Sequence, residues 1–245
     1  MYDPPAYVWA ITIAGPVAIA ALTCLALYSG AERSGLRRSR AALLAGAAAV
    51  LLGGWLATSA VIAGHGWYRT LPWFPVAVAG ALGALLALGR IPVVARALAA
   101  PGMASGLVRP HSFRVAGVVF LFYLALGHLP ALFALPAGLG DIAAGIAAPL
   151  VALRLAQGTG RRSALWFNAF GMTDLVVALT LGALTGFGLL SVTPTSAAIT
   201  ELPLALIPTA TVPLLFALHV TSVSALARTP RTPRPANAPL TSAAR

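Results

Sequence analysis

Long apolar stretches separated by short arginine-bearing segments dominate this chain of 245 residues. A membrane-spanning helix needs about 20 consecutive, mostly apolar residues to cross a hydrocarbon core of roughly 30 Å. Apolar residues make up 59% of the chain, charged residues only 9%, and the mean hydropathy is +0.90. We therefore predict an all-α membrane protein in the cell membrane, a bundle of seven transmembrane helices. The seven stretches are residues 6–28, 41–63, 74–95, 112–134, 139–157, 164–190 and 199–226.

The sixteen basic residues are all arginines, and their positions predict the orientation of the bundle. Cytoplasmic loops of membrane proteins are enriched in Lys and Arg. The loops on one side contain only Arg69, and the other fifteen arginines follow the first, third, fifth and seventh stretches. This alternation predicts an external N-terminus and a cytoplasmic C-terminus, and six spans with 112–157 as one crossing would break it. The four groups are Arg33, Arg37, Arg38 and Arg40; Arg90, Arg96, Arg109 and Arg114; Arg154, Arg161 and Arg162; and Arg228, Arg231, Arg234 and Arg245.

The connecting segments are short, so residues 1–227 are predicted to form one seven-span transmembrane domain. Arg90 and Pro92 indicate that the third span ends near Leu88 and that an interfacial helix follows. Residues 228–245 are basic and rich in proline, and they cannot bury apolar surface. We predict that they form a disordered cytoplasmic tail.

Composition also excludes several function classes. Cytoplasmic loops beside anionic headgroups account for the net charge of +11, so the expected partner is the lipid bilayer and not a nucleic acid. Lysine is absent, which excludes a retinal Schiff base and lysine-dependent phosphate binding. The common soluble-enzyme motifs are absent and Cys24 is the single cysteine, so we expect no cofactor and no metal.

Asp174 is the most informative polar residue, because it lies about eleven residues, or roughly 16 Å, into the sixth stretch. A central aspartate costs about 2.5–3.5 kcal/mol on insertion scales, so it must face the bundle interior, find partners or stay protonated. Carboxyl groups at this depth commonly serve in proton relays or as acids. Asp174 is therefore a candidate proton-path or catalytic residue. A purely structural carboxyl, hydrogen-bonded in a span that also carries Asn168, is the alternative.

Two other acidic residues are predicted at the external starts of spans. Asp141 would cap the fifth span, and Glu201 would lie in the first turn of the seventh, where its charge suits the helix dipole. A turn at residues 136–140 would bring His128 to the same membrane face as Asp141. No pair among these residues has the close helical spacing that favours a metal site.

The seventh stretch also carries a histidine that could take part in a proton path. His219 lies five helical turns beyond Glu201, so an unbroken helix would arrange Glu201, Asp174 and His219 in order of depth. A histidine bonded to a neighbouring helix is the alternative interpretation of His219. His111, between Arg109 and Arg114, is predicted to lie at headgroup level.

Several segments resemble a family of small bacterial integral membrane proteins of unassigned function. They are residues 113–150, residues 168–175, and the ELPLALIPT and VPLLFALH segments of the seventh stretch. The resemblance covers about half of the chain. It implies the architecture and carries no chemistry with it.

Pro203, Pro208 and Pro213 interrupt the seventh stretch, and broken helices are common beside transporter binding sites. Together with the central Asp174 they favour a small-molecule or proton-linked transporter with a polar site near mid-membrane. The alternative is a membrane-embedded enzyme that acts on a lipophilic, isoprenoid-like substrate, with one of the carboxylates as acid or base. Haem ligation by two histidines is a third hypothesis. The candidate catalytic residues are Asp174, Asp141 and Glu201, the candidate path residues are Asp174, Asn168, His219, Glu201, His128 and Asp141, and the candidate haem ligands are His111 and His219.

Overall fold

The computed structural model describes residues 4–228, and the regular elements in that range are helical. Short 3-10 helices occur at Trp67–Arg69, Arg109–Gly117 and Ala197–Thr200, and a π-helical turn occurs at Ile207–Thr211. The predicted tail, residues 228–245, lies outside the described residues except for Arg228. In chain order the α-helices are α1 Ala6–Arg33, α2 Arg38–Gly64, α3 Trp73–Leu88, α4 Pro92–Leu98, α5 Met103–Val108, α6 Val118–Ala125, α7 Ala131–Ala156, α8 Arg161–Gly186 and α9 Val212–Arg228.

Six helical runs in the described range are long and apolar enough to cross a membrane. They are α1, α2, the run Met103–Ala125, α7, α8 and the run Ile207–Arg228. The consecutive helices α3 and α4 pass the same test only together, and they meet at 86°, so the number is seven if the pair counts as one span. This architecture is compatible with a multi-pass helical membrane bundle. The predicted end of the third apolar helix at Leu88, with a separate helix after it, is confirmed.

The predicted boundary between the fourth and fifth spans is wrong. Residues 136–140 lie inside α7, and the chain turns instead at 126–130, where Gly127 has φ of 77°. Glycine adopts this left-handed conformation without steric strain. Pro136 removes one backbone donor from α7, which is tolerated within packed apolar helices. The fourth run therefore begins at Met103, and Asp141 falls near the centre of α7 instead of capping it.

The last helical run begins later than predicted, at Ile207 rather than residue 199. Prolines lack the backbone donor that an α-helix needs, and the segment before Ile207 contains only a short 3-10 helix. The predicted interruption is present around Pro203, between Thr200 and Ile207, whereas Pro208 and Pro213 lie inside a continuous helical run. The predicted alignment of Glu201 and His219 on one helix is wrong, because Glu201 precedes the helix.

The run Ile207–Arg228 is the most enclosed of the candidate spans, and α9 packs against α3, α5 and α8. α7 lies between α8 and the 3-10 helix Arg109–Gly117 and packs closely against both. α2, in contrast, packs mainly on α1 and leaves most of its apolar side chains exposed. The interior of the bundle is thus formed where α7, α8, α9 and the 3-10 helix meet.

Candidate functional site

The 3-10 helix Arg109–Gly117 aims two polar side chains into this interior. A 3-10 helix has three residues per turn, so residues three apart lie on the same face. His111, Arg114 and Gly117 have this spacing, and all three are buried. In an α-helix, with 3.6 residues per turn, they would be rotated away from one another by about 60° at each step.

Arg114 is the centre of a buried ion cluster. Its side chain is 0% exposed, its Nε donates a hydrogen bond to Asp141 Oδ1 at 2.7 Å, and its Nη2 donates to Asp174 Oδ2. Asp141 comes from α7 and Asp174 from α8, so one guanidinium joins carboxylates from two helices. Such charge-assisted bonds are among the strongest in proteins. All three residues lie near the midpoints of their helical runs, which are Met103–Ala125, Ala131–Ala156 and Arg161–Gly186.

Glycines provide the space that the two carboxylates occupy. A Cβ atom at Gly117 would overlap the Asp141 side chain, and a Cβ atom at Gly140 would overlap the Asp174 carboxylate. Most of the buried residues of α7 are Ala or Gly, which lets neighbouring helices approach closely. The ion cluster is therefore built into the helix contacts.

His219 extends the cluster toward α9. Its Nε2 lies 3.4 Å from Arg114 Nη1, and its Nδ1 lies 2.9 Å from Asn168 Oδ1. A guanidinium only donates, so His219 Nε2 is the acceptor and the Nδ1 hydrogen is donated to Asn168. Asn168 Nδ2 in turn donates to Ser222 Oγ at 3.1 Å. The polar chain thus runs from the carboxylates through Arg114 to the buried face of α9.

His111 lies in this interior and not at headgroup level, which corrects the prediction. It is fully buried, and its ring lies 4.0 Å from that of His219 and 5.5 Å from that of Phe167, centroid to centroid. Neither ring nitrogen has a hydrogen-bond partner among the described residues. The two histidine rings are in contact and both nitrogens of His219 are engaged, so this geometry does not fit a haem between them.

A small cavity of about 30 Å³ adjoins Arg114 and Asp141. This volume suits a water molecule, and it is about a tenth of the smallest sites that usually hold organic ligands. Its other walls come from α1 around Pro16 and from Thr211 in the π-helical turn. The cavity therefore lies where the 3-10 helix and the π-helical turn meet α1.

The predicted site residues fall into two sets. Asp141, Asp174, Asn168 and His219 come together around Arg114. Glu201 instead pairs with Arg69 at 3.0 Å, which brings it to the α2–α3 connection. His128 lies in the turn between α6 and α7 and Asp141 lies ten residues into α7, so the predicted grouping of His128 with Asp141 is wrong. Within the described residues, no group of three or more His, Cys, Asp or Glu side chains is arranged to hold a metal.

The sequence interpretation missed Arg114, which it assigned to a cytoplasmic arginine group. The available signal was the apolar segment Met103–Val108 just before it. Starting the span at that segment moves Arg114 to the centre of the run. His111, three residues before Arg114, then also lies inside the same run.

Fold and site together define a helical bundle, compatible with a multi-pass membrane protein, that encloses one arginine between two aspartates. The profile of DUF8737, a domain of unknown function, matches residues 71–227, and the chain belongs to this family. The match extends from α3 almost to the end of α9 and so includes every residue of the ion cluster. No curated protein and no solved structure matches the chain.

Proposed function

We propose that the chain is a proton-linked transporter of the cell membrane, with an external N-terminus, that moves protons down their electrochemical gradient while Asp141 and Asp174 bind and release them. The observation that carries this proposal is that both carboxylates share the single guanidinium of Arg114. Arg114 balances one negative charge. A second uncompensated charge is costly between helices, and a proton on either carboxylate removes it.

The size of the adjoining cavity supports a proton over a larger cargo at this site. About 30 Å³ beside Arg114 and Asp141 accommodates water, which can deliver a proton to the Asp141 carboxylate. An isoprenoid chain needs a cavity of several hundred Å³. The membrane-embedded enzyme hypothesis therefore gains no support from the space beside the carboxylates.

The irregular helices around the cluster support a carrier that changes shape. The 3-10 helix holds Arg114, and the π-helical turn Ile207–Thr211 borders the cavity. Such departures from α-helical geometry are frequent at functional sites, and broken spans are common in transporters. A shift at either segment would change the access of Asp141 and Asp174 to water.

The test is proton uptake by liposomes that contain the purified protein and a trapped pH-sensitive dye, driven by a potassium gradient with valinomycin. We expect uptake above that of protein-free liposomes, and we expect Asp174→Asn and Asp141→Asn each to reduce it at least tenfold. Glu201→Gln is the matched control, because it also neutralises one acidic side chain but lies outside the cluster.

Size-exclusion profiles in detergent establish that all variants are folded, and co-flotation with the liposomes establishes that they are inserted. Wild-type uptake equal to that of empty liposomes would overturn the proposal. So would an Asp174→Asn variant that is folded and conducts protons at the wild-type rate.

A further inference from the structure

A second candidate site lies away from the ion cluster, at the end of the bundle where α1, α2 and α4 meet. It is a groove of about 780 Å³ between the α1–α2 turn, the beginning of α2 and one face of α4. α4 makes an angle of 86° with α3, so it runs across the end of the bundle. Three arginines line the groove, Arg37, Arg40 and Arg96.

The positive charge of this groove is not neutralised within the described part of the chain. None of the three arginines forms an ion pair with a described carboxylate, and the first turn of α2 contains no acidic residue. Glu32, on the last turn of α1, pairs at 3.3 Å with Arg38, which does not line the groove. Arg96 donates only its Nε to the backbone carbonyl of Pro92, at 3.2 Å. The groove therefore presents three guanidinium groups to a ligand.

Apolar side chains line the same groove next to the arginines. Leu36, Leu43 and Val93 form part of its walls. Leu43 lies three residues beyond Arg40 along α2, or about 4.5 Å deeper along the candidate span. Charge at the end of the bundle thus gives way to apolar surface toward its middle. A free inorganic anion would leave that apolar surface exposed to water, whereas an amphiphile would cover it.

We propose that this groove binds one anionic phospholipid, whose phosphate contacts Arg37, Arg40 and Arg96 and whose acyl chains run along Leu43 toward the middle of the bundle. Guanidinium groups match phosphate geometry and bind it through paired hydrogen bonds. Basic pockets beside membrane helices commonly recognise acidic lipid headgroups. The site is independent of the ion cluster and of the proposed proton transport.

The experiment is native mass spectrometry of the purified full-length protein in detergent, titrated with phosphatidylglycerol or with phosphatidylcholine of the same acyl chains. We expect the wild-type protein to retain phosphatidylglycerol at least tenfold more tightly. The double variant Arg40→Gln/Arg96→Gln should bind it about 30-fold more weakly, because each arginine at an anionic surface contributes about fivefold in affinity. The matched control is Arg154→Gln/Arg162→Gln, which removes two exposed arginines from a different turn.

The variant Leu43→Gln tests the apolar part of the site, and since this side chain is 72% exposed, the substitution leaves the packing of α2 intact. It should weaken lipid binding severalfold, and millimolar inorganic phosphate should not displace the lipid. Equal loss of affinity in the two double variants would overturn a specific site. Displacement of the lipid by phosphate, with no effect of Leu43→Gln, would overturn the lipid in favour of a free anion.

Discussion

Replacing Arg114 with Met is expected to be the most destabilising single substitution in the ion cluster. The Arg114 side chain is 0% exposed, and the side chains of Asp141 and Asp174 are only 14% and 10% exposed. Removing one partner of a buried ion pair costs about 3–5 kcal/mol, because it leaves an uncompensated charge. That is a large share of a total stability of about 5–15 kcal/mol. Asp141→Asn should cost less, about 1.5–3 kcal/mol, because Arg114 still has Asp174.

A triple variant separates the uncompensated charge from the loss of packing. Arg114→Met combined with Asp141→Asn and Asp174→Asn leaves no charge in the cluster, and neutral replacements of buried ion networks are often well tolerated. We therefore expect the triple variant to be more stable than Arg114→Met alone. The control Arg69→Met breaks the exposed pair with Glu201, which should cost no more than about 1 kcal/mol.

The assay is the temperature at which half of the detergent-solubilised protein is no longer monodisperse. We expect the wild type and Arg69→Met to have similar melting temperatures, Asp141→Asn a lower one and Arg114→Met the lowest. The triple variant should melt at a higher temperature than Arg114→Met. The reasoning fails if Arg114→Met and Arg69→Met melt together. It also fails if the triple variant is less stable than Arg114→Met, since the damage would then come from lost packing.

Two further predictions concern the space and the hydrogen bonds around the interior. Gly140→Ala should displace Asp174 from Arg114 and lower the free energy of unfolding by about 1–3 kcal/mol. The control Gly83→Ala should be tolerated, because the added Cβ meets no atom within 4 Å. Equal melting temperatures of the two variants would contradict this prediction. Ser59→Ala should cost about 1–3 kcal/mol, because Ser59 Oγ bridges the Tyr68 hydroxyl at 3.1 Å and Thr209 Oγ1 at 2.5 Å, and an unchanged melting temperature would count against that bridge.

The helices with uninterrupted apolar sequences were predictable. The predicted span 6–28 lies within α1, and the predicted span 41–63 lies within α2. α1 continues past the apolar stretch to Arg33. Alanine, glutamate and arginine favour the α-helix, so the helix extends beyond the point where the hydropathy of the sequence falls. Hydropathy thus located these elements, while their ends depended on backbone hydrogen bonding.

The fourth and fifth spans were misplaced because the polar residues of the ion cluster lower the hydropathy of the fourth span. The run Met103–Ala125 has the lowest mean hydropathy of the six candidate spans, since it contains Arg109, His111 and Arg114. The most apolar stretch in this region is therefore residues 112–134, which is the predicted fourth span. The turn after that span is accordingly predicted at residues 136–140. That segment contains proline and glycine, which favour a turn in water but are tolerated inside a packed apolar helix.

The change from α to 3-10 geometry at Arg109–Gly117 could not be read from the sequence. A spacing of three residues between His111 and Arg114 fits either geometry over one turn, and only the third member of the face, Gly117, distinguishes them. Glycine has no side chain to mark a buried face. Close packing against α7 favours the 3-10 geometry, which brings all three residues inward. The geometry therefore depends on contacts between helices and not on the local sequence.

Moving Arg114 from a cytoplasmic group to the interior changes the meaning of Asp174 but not the predicted orientation. Arg90, Arg96 and Arg109 still follow the third apolar stretch, so the alternation of arginines remains. Asp174 is expected from the sequence to find a partner or stay protonated, and the partner it has is a buried cation, Arg114. A single ion pair needs only one carboxylate, so Asp141 is the residue that gives the cluster a surplus negative charge. If that surplus binds the transported proton, neutralising either aspartate leaves one balanced pair and should stop proton uptake. A purely structural cluster would instead lose stability in each variant while having no proton uptake to lose.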